Sequence, residues 1–384
     1  MINRRQLIQH AITGLAGAQL LTAESLLAKP AHSDLYWYDE GLKATLPKGA
    51  TLRIVAKAGY KATPSSSYLW HGSPDGGDCF GTSDGGWVYV CNRELESGAG
   101  GVGALRFNAQ GEVIDSYSIL SGTTRNCAGG RTLWGTWLSC EENGEQGEVY
   151  ECDPLGKKSA RRLSAMGVCN HEAVAMDPAT GYAYLTEDRP NGCLYRFIPN
   201  TLGDLSVGVL QVGVARDDSL VWQTVPDPSA STKPLRKQVT GAAKFRGGEG
   251  IAYLDKHIYF TTKIDNKVWS LNVETNTLSV IYDAASYKKP VLTGVDNIAV
   301  TPNGELLIAE DGGDMQLVGL ADNKVPVPLV TLHGQLKSEM TGPAFSPDGS
   351  RLYFNSQRGF TGSKNDGITY ELILPNNIHF NRYL

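Results

Sequence analysis

One pattern recurs six times along the chain and restricts the fold more than any other feature: a short alternating strand, a Pro/Gly turn and a second alternating strand. The fullest copy is NHEAVAMDPATGYAYLTEDRPNGCLYRF, residues 170–197, which opens at Glu172, turns at Asp177-Pro178-Ala179-Thr180-Gly181 and arrives at Glu187-Asp188. Period-two alternation on both sides of such a turn predicts a β-hairpin. A hairpin returns to where it began, so Glu172 and Glu187 belong at the end opposite the turn. Further copies run from Asp78 to Glu94, from Cys127 to Glu141-Glu142, from Glu249 through a turn near Asp255-Lys256, and from Asp296 to Glu310-Asp311. The sixth, from Thr341 to Asn355, carries polar groups in place of acids. Each is followed by another short β run, such as Leu194 to Ile198, and six such units predict an all-β chain folded as a six-bladed β-propeller.

Propeller geometry turns that repeat into a site. The innermost strand of each blade lines the axial channel, so the residues that open those strands ring one mouth of it. On this reading the ring holds Asp78, Cys127, Glu172, Glu249, Asp296 and Thr341. Behind it stands a second tier, Glu94, Glu141 or Glu142, Glu187 and Glu310. So many carboxylates cannot remain ionised together without countercharge, and bound metal ions are the natural resolution. Adjacent strand residues point to opposite sides, so one of Glu141 and Glu142 reaches the metals, and the pairs Glu187/Asp188 and Glu310/Asp311 carry the same ambiguity.

The ends of the chain complete the plan. Residues 1–31 read as an export signal, with twin arginines in Asn3-Arg4-Arg5-Gln6-Leu7-Ile8 ahead of an apolar run and small residues near Ala28 and Ala31. Export by the twin-arginine machinery to the periplasm or beyond is expected, with residues 32–384 forming a single propeller domain that acts as a monomer. No other apolar run is long enough to span a bilayer. The stretch TLRIVAKAGY is expected to complete the last blade alongside Thr369 to Leu374, and residues 199–245 to supply outer strands and a loop over one face. A net charge of -5, with the acids gathered in the repeats, argues against a nucleic-acid reader. Seven cysteines are an odd number, so at least one thiol is free or metal-bound; Cys127 is the candidate, and for the other six both disulfides and buried thiols are open.

The segment Arg125-Asn126-Cys127-Ala128-Gly129-Gly130, followed by Trp134-Gly135-Thr136-Trp137-Leu138-Ser139-Cys140-Glu141-Glu142-Asn143, resembles the signature of the PhoX family of alkaline phosphatases, as do HEAVAMDPATGYAYLTEDR, RGGEGIA, DNIAVTPNGELLIAEDG and TGPAFSPDGSRLYFNSQ. The resemblance implies hydrolysis of small phosphate monoesters with iron(III) and calcium at the axial mouth. It places the family's metal-ligating cysteine on Cys127 and its carboxylate ligands among Glu94, Glu141, Glu142, Glu172, Glu187, Glu249, Asp296 and Glu310. One thiolate among hard oxygen donors suits such a mixed cluster. Arg246 and Arg358, with forked guanidinium groups near the same mouth, are the candidates for phosphate, ahead of Arg125 and Arg189. In this reading Cys127, Glu249, Arg246 and Arg358 carry catalysis, no serine nucleophile is required, and His171 faces into its blade. Two alternatives share the fold: a calcium-dependent lactonase or esterase, and a non-catalytic propeller stabilised by calcium.

Overall fold

In the computed structural model, residues 35–375 and 379–383 are described; the export-signal reading falls outside them. The strands form six sheets: four run outward in chain order, from Pro74–Gly81, from Asn126–Arg131, from His171–Met176 and from Gly248–Leu254, and a fifth does so from Val295–Val300 as far as Val325–Leu332. The sixth sheet runs from Met340–Phe345 through Arg351–Ser356 and Ile368–Ile373 to Thr51–Lys57. The first strand of each sheet packs against the first strands of the sheets before and after it, and the sixth returns to the first. The result is the six-bladed propeller that the hairpin repeat predicts.

The cohesion of the ring is apolar. Each pair of neighbouring blades shares a buried cluster: Val88, Val90 and Trp137 join the first two, Leu138, Val174 and Phe197 the next, and Ile251, Phe260 and Tyr184 the third and fourth. Leu306 and Tyr282 join the fourth and fifth blades, Leu317 and Phe354 the fifth and sixth, and Tyr353, Tyr89 and Trp87 close sixth onto first. Each such side chain contributes about 1.5–3 kcal/mol on burial. No blade can bury its faces alone, so each depends on its neighbours for its core.

Closure falls to Thr51–Lys57, which pairs antiparallel with Ile368–Ile373, as the sequence predicts. The fully buried Glu371 secures the seam, with ion pairs to Arg53 and to Arg351 at 3.2 Å and a hydrogen bond from Tyr353 Oη at 2.7 Å. The third blade has two outer strands, Asp204–Arg216 and Ser219–Thr224, within the long insertion. A hairpin the sequence pattern did not single out, Tyr36–Asp39 and Ala44–Pro47, extends the fifth blade to six strands.

Candidate metal centre

The inner hairpins share a defect that builds the site. In each, the register between first and second strands slips by one: between Pro74 and Gly77, Asn126 and Gly129, His171 and Val174, Gly248 and Ile251, Val295 and Ile298, and Thr341 and Ala344. A bulge re-aims the residues inside it. In the first five blades the first residue of the bulge is Asp75, Cys127, Glu172, Glu249 and Asp296. On the second strand, the residue that follows the last ladder pair is Glu94, Glu142, Asp188, Lys263 and Asp311 in those blades and Gln357 in the sixth.

Two groups of carboxylates result. Glu172, Glu249 and Asp296 offer oxygens within 4.8 Å of one another, as do Asp75, Glu94 and Glu339, and all six residues are buried. Burial pushes the Glu172 carboxyl well above its ordinary value, and Glu249, Asp296, Glu142 and Asp75 push it further. Neither of its carboxylate oxygens has a hydrogen-bonding partner. Burial likewise raises Asp296 to about 7, with Lys263 opposing the rise, and Glu142 to about 7, with Arg125 opposing. Cys127 lies in the field of both groups: burial first, then Asp75, Glu172, Glu94 and Glu142, drive its thiol upward. A fully buried carboxylate without a donor is costly unless a cation completes it. The donor set, many oxygens and one sulfur, fits hard and borderline metal ions.

Around these groups the cations and amides are fixed. Gln357 Nε2 donates to Asp75 Oδ2 at 2.6 Å and to Glu94 Oε2 at 3.0 Å. Arg125 pairs with Glu94 at 3.0 Å and with Glu142. Arg358 pairs with Glu339 at 3.0 Å, while the exposed Arg246 stands one residue before Gly247 on the same rim. Asn170 Nδ2 donates to Glu142 Oε1 at 3.0 Å and to the Asp188 carbonyl at 2.7 Å, tying two blades together behind the acids.

Other predicted site residues are placed elsewhere. Glu141 accepts from the Thr124 and Glu148 amides at 2.7 and 3.2 Å, which leaves Glu142 as the member of that pair facing the centre. Glu187 accepts from Tyr195 Oη and Arg236 Nη1, both at 2.8 Å, and Glu310 from the Thr293 and Gln316 amides at 2.7 and 3.2 Å. Their successors Asp188 and Asp311 turn to the mouth instead. Asp78 is not in the ring: it pairs with Arg131 at 2.8 Å at the opposite mouth, because the first inner strand begins at Pro74 and Asp75 takes the ring position. Thr341 donates its hydroxyl to the Pro74 carbonyl at 2.8 Å, and the neighbouring Glu339 joins the acids. His171 Nε2 lies 2.9 Å from the Gly167 carbonyl and burial lowers the ring to about 4, so it is neutral and turned into its blade. All seven cysteines are unpaired. Sequence reasoning missed Asp75, Glu339 and Lys263; the slip common to the six hairpins, visible in the ladder pairing and not in the alternation, puts Asp75 and Lys263 at the equivalent positions.

Fold and site together define a class: a β-propeller with an acidic axial centre that requires countercharge. The sequence profile of alkaline phosphatase PhoX matches residues 90–282 and 263–359. The chain belongs to the PhoX family of alkaline phosphatases, and it is a phosphatase. Among solved structures, PhoX of Pseudomonas fluorescens, in complex with the transition-state analogue vanadate, is similar over 88% of this chain and 97% of its own, with a TM-score of 0.70 at 14% identity. A gluconolactonase of Xanthomonas campestris matches over 91% and 97%, with a TM-score of 0.51 at 13% identity. A Bacteroides thetaiotaomicron protein of unknown function matches over 84% and 76%, at 0.52 and 10%. These likenesses show the fold. No curated protein sequence gives a significant match.

Proposed function

We propose that this phosphatase hydrolyses phosphate monoesters after export by the twin-arginine route, with iron(III) and calcium held at the acid mouth. The ligands we assign are Asp75, Glu94, Cys127, Glu142, Glu172, Glu249, Asp296 and Glu339. The observation that carries the assignment is Glu172, fully buried with both oxygens unpartnered among other acids. When bound, the ions supply countercharge to the acids and Lewis acidity toward phosphate oxygens.

The chain's own residues do the rest. Arg358 is anchored by Glu339, and Arg125 by Glu94 and Glu142, so each guanidinium is held at the centre with N–H groups left for an incoming phosphate. Such forked donors match phosphate oxygens and hold the ester in one orientation. Arg246, exposed on the rim, captures the dianion as it approaches. Burial of the acid groups keeps water from screening these contacts. Among the described residues no helix is long and apolar enough to cross a membrane.

The test is Cys127→Ser, assayed for hydrolysis of a chromogenic phosphomonoester and for bound iron. Loss of both, with calcium retained, is the expected result. A fully active, iron-loaded variant contradicts the assignment.

A further inference from the structure

Around the acid mouth, one position of the hairpin repeat is filled by Glu94, Glu142, Asp188, Lys263, Asp311 and Gln357 in turn. Lys263 is the odd member, a cation where four blades place an acid. Its Nζ lies 3.0 Å from Glu249 Oε1 and 3.2 Å from Asp311 Oδ2, so it bridges the fourth and fifth blades. Its backbone amide donates to the Gly247 carbonyl at 2.8 Å, which fixes the stem. Glu249 is thus partnered by the Lys263 ammonium, whereas Glu172 in the same group has no partner at all. Lys263 therefore neutralises one side of the group and leaves the other side open.

We infer that Lys263 is a built-in cation, its ammonium standing between Glu249 and Asp311 where a divalent ion would otherwise sit, and that it limits how many ions the mouth accepts. The inference rests on the metal-centre reading above. An ammonium is a compact point charge, carried here on a tethered stem. It gives countercharge to two carboxylates without the six or more oxygen ligands that calcium requires. Glu172, Asp296 and the second oxygen of Glu249 then remain for exchangeable ions. An ordinary structural ion pair in the same place predicts lost stability on substitution and no gain in metal.

Metal counting on the full-length protein separates these. Wild type, Lys263→Gln and Lys263→Arg are equilibrated in calcium, freed of unbound ion, and the metal per chain is measured by elemental analysis, with melting temperature recorded with and without calcium. Lys263→Gln is expected to hold one more calcium per chain than wild type and to gain more in melting temperature from calcium. Lys263→Arg keeps the wild-type count. With metal present in the wild type, an equal or lower count in Lys263→Gln overturns the inference and leaves the metal centre standing. Metal in Lys263→Gln but none in wild type overturns the metal centre and leaves the inference standing, and metal in neither overturns both. A Lys263→Gln chain that folds only with calcium supports the inference; one unfolded under both conditions overturns it.

Discussion

The two mouths of the axial channel are made from opposite ends of the same six inner hairpins, yet their charges are handled in opposite ways. At the turn end lies a funnel of about 870 Å³, lined by residues such as Ile251, Tyr253, Ile298, Val300 and Phe345. Its charges are satisfied locally: Arg131 covers Asp78, Thr180 donates to Asp177, and Ser346 and Ser350 donate to Asp348. At the other end the bulge turns successive residues toward the axis, where acids from different blades face one another. An acid with its donors built in is a structural part, and a buried acid without them waits for a counterion. A milder form of the contrast separates Glu187, buried and held by Arg236 and Tyr195, from its half-buried successor Asp188 just past the strand end.

The largest effect should come from the unsatisfied side. Glu172→Gln is expected to lower kcat on the order of 10³-fold, as when a preorganised electrostatic contact is lost, and to release metal while circular dichroism stays native. A variant that keeps its metal and its rate breaks the contrast. Glu187→Gln should do the reverse, costing about 1.5–3 kcal/mol of stability through the charged hydrogen bond lost from Arg236, which keeps its pair with Glu145, with metal per folded chain unchanged. Denaturant unfolding and elemental analysis read both.

Acidity sharpens the contrast further. Burial raises Asp296 from 3.8 and Glu142 from 4.5, each to about 7, so the folded state binds more protons than the unfolded one across that interval. The stability of metal-stripped protein must then fall as pH rises from about 4 to about 7. Calcium should remove most of that fall, as thermal melts across the range will show; a flat profile without metal would contradict buried, uncompensated acids. Asn170→Ala, which frees Glu142 and the Asp188 carbonyl, should weaken metal binding by about 10-fold. Smallest of all, Asp78→Asn at the funnel should change stability by less than about 1 kcal/mol and leave the rate alone.

The fold was legible because the hairpin repeat is local: alternation and turn residues lie within one short stretch, and TLRIVAKAGY carries its own β pattern. The centre was legible only to within a residue. Glu172, Glu249 and Asp296 stand out as strand openers, but the choice between Glu187 and Asp188 depends on a bulge that leaves no mark in the alternation. Asp75 was hidden by Gly76 and Gly77, which blur the start of the first inner strand and direct attention to Asp78. Glu339 lies before its strand, outside the repeat. Lys263 breaks the acid pattern and so escapes a search for acids. The bond from Arg236 to Glu187 joins residues far apart in sequence, and no short-range pattern reports it.

The most direct test of the acid mouth as a metal centre is elemental analysis of protein purified through its native export route, paired with hydrolysis of a chromogenic phosphomonoester before and after chelation. Iron together with calcium, and a rate abolished by chelation and restored by the metals, is the predicted result. A chain that hydrolyses the ester at full rate with its metals removed would contradict it.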